Sequence, residues 1–554
     1  MTDSPTTPET APDTPTNADA TAEQPSLVPP ASRTPLVLSL VLGAIASLLP
    51  IVVGFGRSYF GFETETDVVS QFVIDAGRFL AGSTPDLEYH PPGYAALLAL
   101  SKLAIDDWLV AGLVLTGIAT PLALLASYVL GERLAGPAYA HRRWVGFACV
   151  ASCVGSFTFL KFTAQATSEM PFTAVFLGAL AFTACAARGS RLWWIPAGVL
   201  AACSVLMRTN GITIVPMLAV TSMLCAWDGR WNIALALRLI KPGVVRSLCW
   251  GVPFALVIAG WIAVAVSRDA PITPSKSHVN LASTYFAETS RGRYGESLRE
   301  MEAKFESMGD VLSYDPAKMV TLYLQDLSRL PIDLVPKAIN PLTLLLAVIG
   351  LFLVPRVSRS PAVLALGLCL AASLMFINFK IYYDRFYIFA APSFGVFAGF
   401  AAVRIAQVFP RQLVVVGVAG LTLALVGSAG FVAHKERQSH HSYDAWMATA
   451  LADMQPHLAE GDVVFERTRH VTHETPAVHG ELSEHLTVES LRAAMRAQAA
   501  QDNAGAVYLF DTSYLKSPWK QTARDIAADE PWPSWLDPVA SGDRWELLRF
   551  APGG

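Results

Sequence analysis

Long apolar runs separated by polar breaks set the pattern of this chain. They fall at residues 35–55, 109–130, 145–160, 170–187, 192–207, 211–227, 248–266, 340–355, 361–378, 386–403 and 412–433. Each approaches the roughly 20 residues that a helix needs to cross a hydrocarbon core. The pattern predicts a polytopic α-helical membrane protein with about 11 transmembrane helices, one per run. Three longer polar stretches interrupt it, at 56–108, 267–339 and 434–554. The third is long enough for a small domain. Its strand-like runs at Asp462–Phe465, Val507–Phe510 and Trp545–Phe550 flank a helical pattern over 487–501, with Thr487 as N-cap. That combination predicts a compact α/β domain beside a membrane domain spanning 35–433. Residues 1–34 are rich in Thr, Pro, Ala and Asp and lack a basic segment or apolar periodicity. They read as a disordered tail rather than a signal peptide, so the first run is an uncleaved anchor.

Loop charge orients the spans. With the N-terminus cytoplasmic, the short inner loops hold Arg133, Arg142, Arg143, Arg188, Arg191, Arg230, Arg238, Lys241, Arg246, Arg356, Arg359, Arg404 and Arg411. The short outer loops hold only Lys161, Arg208, Lys380 and Arg385. The positive-inside rule therefore places the three long polar stretches, and the terminal domain, outside the cytoplasmic membrane.

Composition narrows the class. Hydrophobic residues make up 53% and charged residues 16%, against about 25% charge in soluble domains. A string of soluble domains is excluded. A net charge of −4 gives no overall basic surface for nucleic acid. The seven cysteines all lie in or beside apolar runs, which leaves no disulfide framework and no metal-binding CxxC. Transporters place charge near the bilayer midplane. Here the run interiors are almost free of ionisable residues, so the chemistry is expected at the outer surface.

The first outer loop carries the densest candidate chemistry. Gly61-Phe62-Glu63-Thr64-Glu65-Thr66-Asp67 brings three carboxylates close behind a span. Val68, Phe72, Ile74, Phe79 and Leu80 then alternate with Asp75 and Arg78. Glu88-Tyr89-His90-Pro91-Pro92-Gly93-Tyr94 follows, then an apolar stretch, Ala95–Ala104, too short to span. The loop reads as two interfacial helices flanking a polar turn, with acids held at headgroup level.

These residues resemble the GT-C membrane glycosyltransferases, with an acid after the first span, "Leu-Ala-Gly", and "His-Pro-Pro-Gly-Tyr" before an apolar helix. The protein O-mannosyltransferase-like and aminoarabinose-transferase-like groups are the most similar. Thr167-Ser168-Glu169-Met170-Pro171-Phe172, Met207-Arg208-Thr209-Asn210-Gly211 and Tyr383-Asp384-Arg385-Phe386-Tyr387 resemble other segments of that class. The resemblance covers about 35–405 and departs from the usual Asp-Glu pair, since the order here is Glu65-Thr66-Asp67. It implies transfer of a sugar from a polyprenyl-phosphate carrier to an acceptor hydroxyl on a cell-envelope glycan, lipid or protein, usually with inversion. A lipid-borne donor also fits the topology, because nucleotide sugars are cytoplasmic and the acidic loop faces out.

Such a reaction needs a carboxylate to take the acceptor proton and cations to hold the leaving phosphate. Asp67 is the candidate base and Glu65 its alternate. Arg208, Arg385, Lys276 and His278 are candidates for the phosphate, with Glu169, His90 and Tyr94 as further donor-binding residues. A divalent cation, if used, would find oxygen ligands in Glu65, Asp67 and Glu169. Arg208 and Arg385 equally suit interfacial anchors, and Glu169 a helix-start acid. A flippase for lipid-linked intermediates, or a non-catalytic scaffold, remains the alternative. One active centre requires Asp67, Glu169, Arg208 and Arg385 to converge.

Overall fold

The computed structural model describes residues 33–61, 65, 67–87, 90–137, 139–225, 233–274, 276–286, 301–333, 338–353, 363, 367, 384–466, 470–481, 488–501, 505–512, 535–542 and 545–551. Every apolar run carries a helix except 361–378, which lies outside the described residues save for Val363 and Gly367. Among the described residues five helices are long and apolar enough to cross a membrane, or six if one bent pair is a single span. Arg191–Met207, Thr209–Leu224, Pro341–Phe352 and Ala390–Ala406 are shorter apolar helices.

The helices begin and end where local chemistry directs. α1 (Thr34–Gly54) has Pro in its first turn, where the missing N–H costs nothing. α4 (Trp108–Ala135) starts at Asp107, whose carboxylate accepts from Val110 N at 2.8 Å, and ends at Gly136 with φ 88°. The 145–160 run does not form one straight span. α5 (Arg142–Val154) and α6 (Phe157–Thr163) meet at a 73° bend, because Ser156 turns extended and caps a new helix through Phe159 N. Hydroxyls within the apolar helices bond back to their own carbonyls, as in Ser39 to Pro35, Thr120 to Thr116 and Thr183 to Ala179. That satisfies them without water.

The first polar loop folds as two short helices flanking a turn. A widened π-helical turn, Val68–Phe72, leads into α2 (Val73–Leu80), and α3 (Gly93–Lys102) follows the His-Pro-Pro-Gly turn. α7 (Glu169–Arg188) packs on α4, and α8 (Trp194–Met207) on α7. The segment before helix Ala390–Ala406 is seated on α7 by Phe389, 4.4 Å from Phe176 between ring centroids.

The last apolar run does not stop at 433. A single helix, Arg411–Met454, continues through the boundary drawn at 434. Its final turns cover the terminal domain through Tyr443, Met447, Ala450, Leu451 and Met454. The domain's sheet has the order β2-β1-β3-β5-β4, with β1 (Val463–Glu466), β2 (Val478–Glu481) and β3 (Val507–Thr512) parallel. β5 (Trp545–Phe550) runs antiparallel to β3 and to β4 (Leu536–Gly542). Strand residues alternate between two cores. Val464 and Tyr508 face the long helix, and Val463, Phe465 and Leu509 face Leu491 and Met495 of helix Val488–Ala499. The three expected strands and the helix are present, although Thr487 lies outside the described residues.

Candidate active site

Four of the candidate residues meet at one end of the helix bundle. Glu169 opens α7, Arg208 closes α8, Arg385 sits just before helix Ala390–Ala406, and Asp67 starts the turn into α2. Arg208 Nη1 donates to Glu169 Oε1 and to Ser168 Oγ, each at 2.7 Å. Arg385 Nη1 donates to Asp67 Oδ2 at 3.1 Å and lies 3.8 Å from the same Glu169 oxygen. Both guanidiniums stand over the Phe386 ring, at 5.0 and 5.1 Å, a cation–π arrangement that fixes their planes.

Two acids therefore face two guanidiniums, and their exposure separates them. The Glu169 side chain is 5% exposed and the Asp67 side chain 38%. Asp67 is the carboxylate an incoming molecule can reach. Glu169 is the one that holds the two cations side by side.

His90 and Tyr94 complete this end. The His90 ring stacks on Phe72 at 4.7 Å, and Tyr94 meets the same ring edge-on at 4.9 Å. The close approach that puts them here depends on Gly93. A Cβ at Gly93 would lie 2.7 Å from the Leu206 carbonyl oxygen, so only glycine lets α3 reach the end of α8 beside Arg208. Burial pushes the His90 imidazole down to about 4, with Arg208 and Arg385 adding to the fall and Asp67 and Glu169 opposing it. Burial pushes the Tyr94 hydroxyl up, and the Glu169 and Glu65 charges push it further. Both are neutral near pH 7.

The His90 shift has a measurable sign. The unfolded chain takes up this proton near pH 6.5 and the folded one only near 4. Stability tied to the neutral ring is complete above pH 6.5 and is lost as pH falls from there towards 4. His90→Asn should therefore flatten the fall in thermal midpoint between pH 7 and 5. An acid slope equal to wild type would contradict the lowered pKa of this imidazole.

Glu65 belongs to a different centre. Its side chain has no exposed surface and is paired with Arg57. It accepts from Arg57 Nη1 at 3.2 Å, from Arg57 Nη2, from Gly61 N and from Ala166 N at 2.8 Å. Burial raises its pKa, but the Arg57 charge, His440 and these hydrogen bonds outweigh that and hold it below the usual carboxylate range. Lys276 and His278 bind within the second polar loop. Lys276 Nζ lies 3.1 Å from Glu302 Oε1, and the His278 ring meets the Phe305 carbonyl at 3.1 Å. Glu63 and Tyr383 lie outside the described residues. Each of Glu65, Asp67 and Glu169, considered above as metal ligands, is engaged by a guanidinium. Among the described residues no group of three His, Cys, Asp or Glu could hold a metal ion.

Sequence reasoning passed over Arg57, Gln165, Glu436 and His440. Gln165 Nε2 donates to Glu436 Oε2 at 2.9 Å, and His440 faces both Glu436 and Glu65. The readable signal was the Glu436, His440, Asp444 spacing of four on one helix face beyond an apolar run.

The fold of this chain is similar to that of solved GT-C glycosyltransferase structures. The solved structures it is similar to include the aminoarabinose transferase ArnT from Cupriavidus metallidurans, crystallised with undecaprenyl phosphate. Identity is 14% and the TM-score 0.52, over 94% of this chain and 98% of that one. The apo form of ArnT matches at 14% identity and a TM-score of 0.50, with the same coverage. The arabinofuranosyltransferase AftD from Mycobacteria matches at 11% identity and a TM-score of 0.44, over 95% of this chain and 40% of AftD. No protein-family model matches the sequence, and no curated protein matches it.

Proposed function

We propose that this protein is a membrane glycosyltransferase. It moves a sugar from a polyprenyl-phosphate donor to an acceptor hydroxyl on a cell-envelope glycan, lipid or protein, at the outer face of the cytoplasmic membrane. The observation that carries this reading is the pair of guanidiniums, Arg208 and Arg385, held side by side by Glu169 with the more open carboxylate of Asp67 against one of them. The pair is suited to a phosphate whose charge grows as the bond to the sugar breaks.

In this reading the donor phosphate takes the place of Asp67 at Arg385. The freed carboxylate accepts the acceptor's hydroxyl proton as that oxygen attacks the anomeric carbon. The sugar–phosphate bond breaks, and the electron pair leaves on the lipid phosphate, where Arg208 and Arg385 hold it. Glu169 is buried between the cations and out of reach as a nucleophile. A single displacement with inversion follows. The loop-charge asymmetry supports an outward-facing site.

The test uses the full chain in liposomes. Wild type should bind undecaprenyl phosphate and, with a cell-envelope extract supplying acceptor hydroxyls, release it from at least one member of a panel of undecaprenyl-phosphate pentoses and hexoses. Substituting Arg208→Gln or Arg385→Gln should weaken undecaprenyl-phosphate binding roughly 10–100-fold, because a hydrogen bond to a charged group is worth about 1.5–3 kcal/mol. A wild-type protein that binds no undecaprenyl phosphate, or binding indifferent to both arginines, would refute the reading. A Ser83→Cys variant that reagents cannot label from the cell exterior would refute the orientation.

A further inference from the structure

We propose that Glu65 is a positioning residue, whose buried carboxylate clamps the first polar loop to the 164–168 segment and so sets where Asp67 stands relative to Glu169 and Arg208. The inference rests on the proposed function and adds a residue that touches no substrate.

Donors from both the first polar loop and the 164–168 segment end on this one carboxylate. Arg57 reaches it from just beyond α1, Gly61 N from the loop, and Ala166 N from the segment that runs directly into Ser168 and Glu169. The Glu65 carbonyl meanwhile accepts from Val68 N at 3.0 Å and Val69 N at 3.2 Å, which starts the turn carrying Asp67. One residue thus fixes both walls of the ion cluster. Gly61 is small enough to permit it, since a Cβ there would meet the His440 ring and lie 2.8 Å from Glu65 Oε2.

The clamp is braced from behind by the long helix Arg411–Met454. Glu436 accepts from Gln165 Nε2 at 2.9 Å, next to Ala166, and Asp444 accepts from Ser58 N at 2.9 Å, next to Arg57. His440 stands between them, against Glu65. Thr116 Oγ1 holds the Gln165 carbonyl at 2.9 Å from α4. An ion pair with no exposed surface is a poor source of net stability, because desolvation offsets its attraction. What the Glu65 carboxylate supplies is register between the first polar loop and the 164–168 segment, through Ala166 N.

The test is kinetic and uses the full chain in liposomes. Glu65→Gln should lower kcat about 10–100-fold, the scale on which small misplacements cost rate. The KM for the lipid-linked sugar and the affinity for undecaprenyl phosphate should stay within about twofold, because Arg208, Arg385 and Glu169 remain paired. Glu65→Asp and Arg57→Lys, which keep the charge pair but alter its reach, should give intermediate kcat values. In an Asp67→Asn background Glu65→Gln should remove nothing further, since it acts through Asp67. Wild-type kcat in Glu65→Gln overturns the proposal. So does loss of undecaprenyl-phosphate affinity in step with kcat, or an additive double variant. If Glu65→Gln does not fold, Glu65→Asp and Arg57→Lys decide by the same kcat-against-KM split. Failure of wild type to bind undecaprenyl phosphate would instead count against the proposed function.

Discussion

Asp67→Asn should lower the rate of sugar transfer about 10²–10⁴-fold while tightening the binding of undecaprenyl phosphate. The two effects have separate causes. A positioned general base contributes about 10²–10⁴-fold to rate, and asparagine cannot accept the acceptor's proton. Binding moves the other way because the Asp67 carboxylate and the incoming phosphate compete for one donor, Arg385 Nη1. The pair is partly exposed, 22% at Arg385 and 38% at Asp67, so it is worth only about 0.2–1 kcal/mol. Undecaprenyl phosphate should therefore bind up to roughly fivefold more tightly to Asp67→Asn than to wild type. Titration of both proteins in liposomes reads this directly. Weaker binding to the variant would mean that Asp67 helps to hold the phosphate, and the exchange at Arg385 would have to be given up.

Glu169→Ala should be the most damaging single change for stability in the cluster. It removes the acid between two guanidiniums and leaves Arg208, 9% exposed, without its carboxylate. Breaking a buried pair from one side costs about 3–5 kcal/mol. The thermal midpoint should fall sharply, and phosphate binding with it as the two cations splay apart. Arg208→Ala should fall by a similar amount, and the double variant by clearly less than the sum, because no orphaned charge remains. Additive losses in that cycle would show that Glu169 and Arg208 are not energetically coupled.

Much of the architecture was legible from local pattern. Apolar run length gave helices at every described run, and the apolar runs Asp462–Phe465 and Val507–Phe510 gave strands in the terminal domain. The two short helices of the first loop followed from an amphipathic stretch and a segment too short to span. Two features escaped. The bend after Val154 turns on the conformation of Ser156, which hydropathy does not see. The helix through residue 434 escaped because its surface changes partner, from the helix bundle to the sheet, without changing conformation.

The site divided along the same line. Sequence alone determined which side chains carry charge at the ends of apolar helices, because burying an unpaired ion in hydrocarbon is costly and confines such groups to those ends. It therefore singled out Asp67, Glu169, Arg208 and Arg385, which the structure brings together. It could not separate Glu65 from Asp67, two residues apart and chemically alike. Only the tertiary structure did so, by bringing Ala166 N from 101 positions away to Glu65 and Arg385 from 318 positions away to Asp67. Hydropathy and spacing are short-range quantities, whereas the partner of a charge is set by where the chain returns.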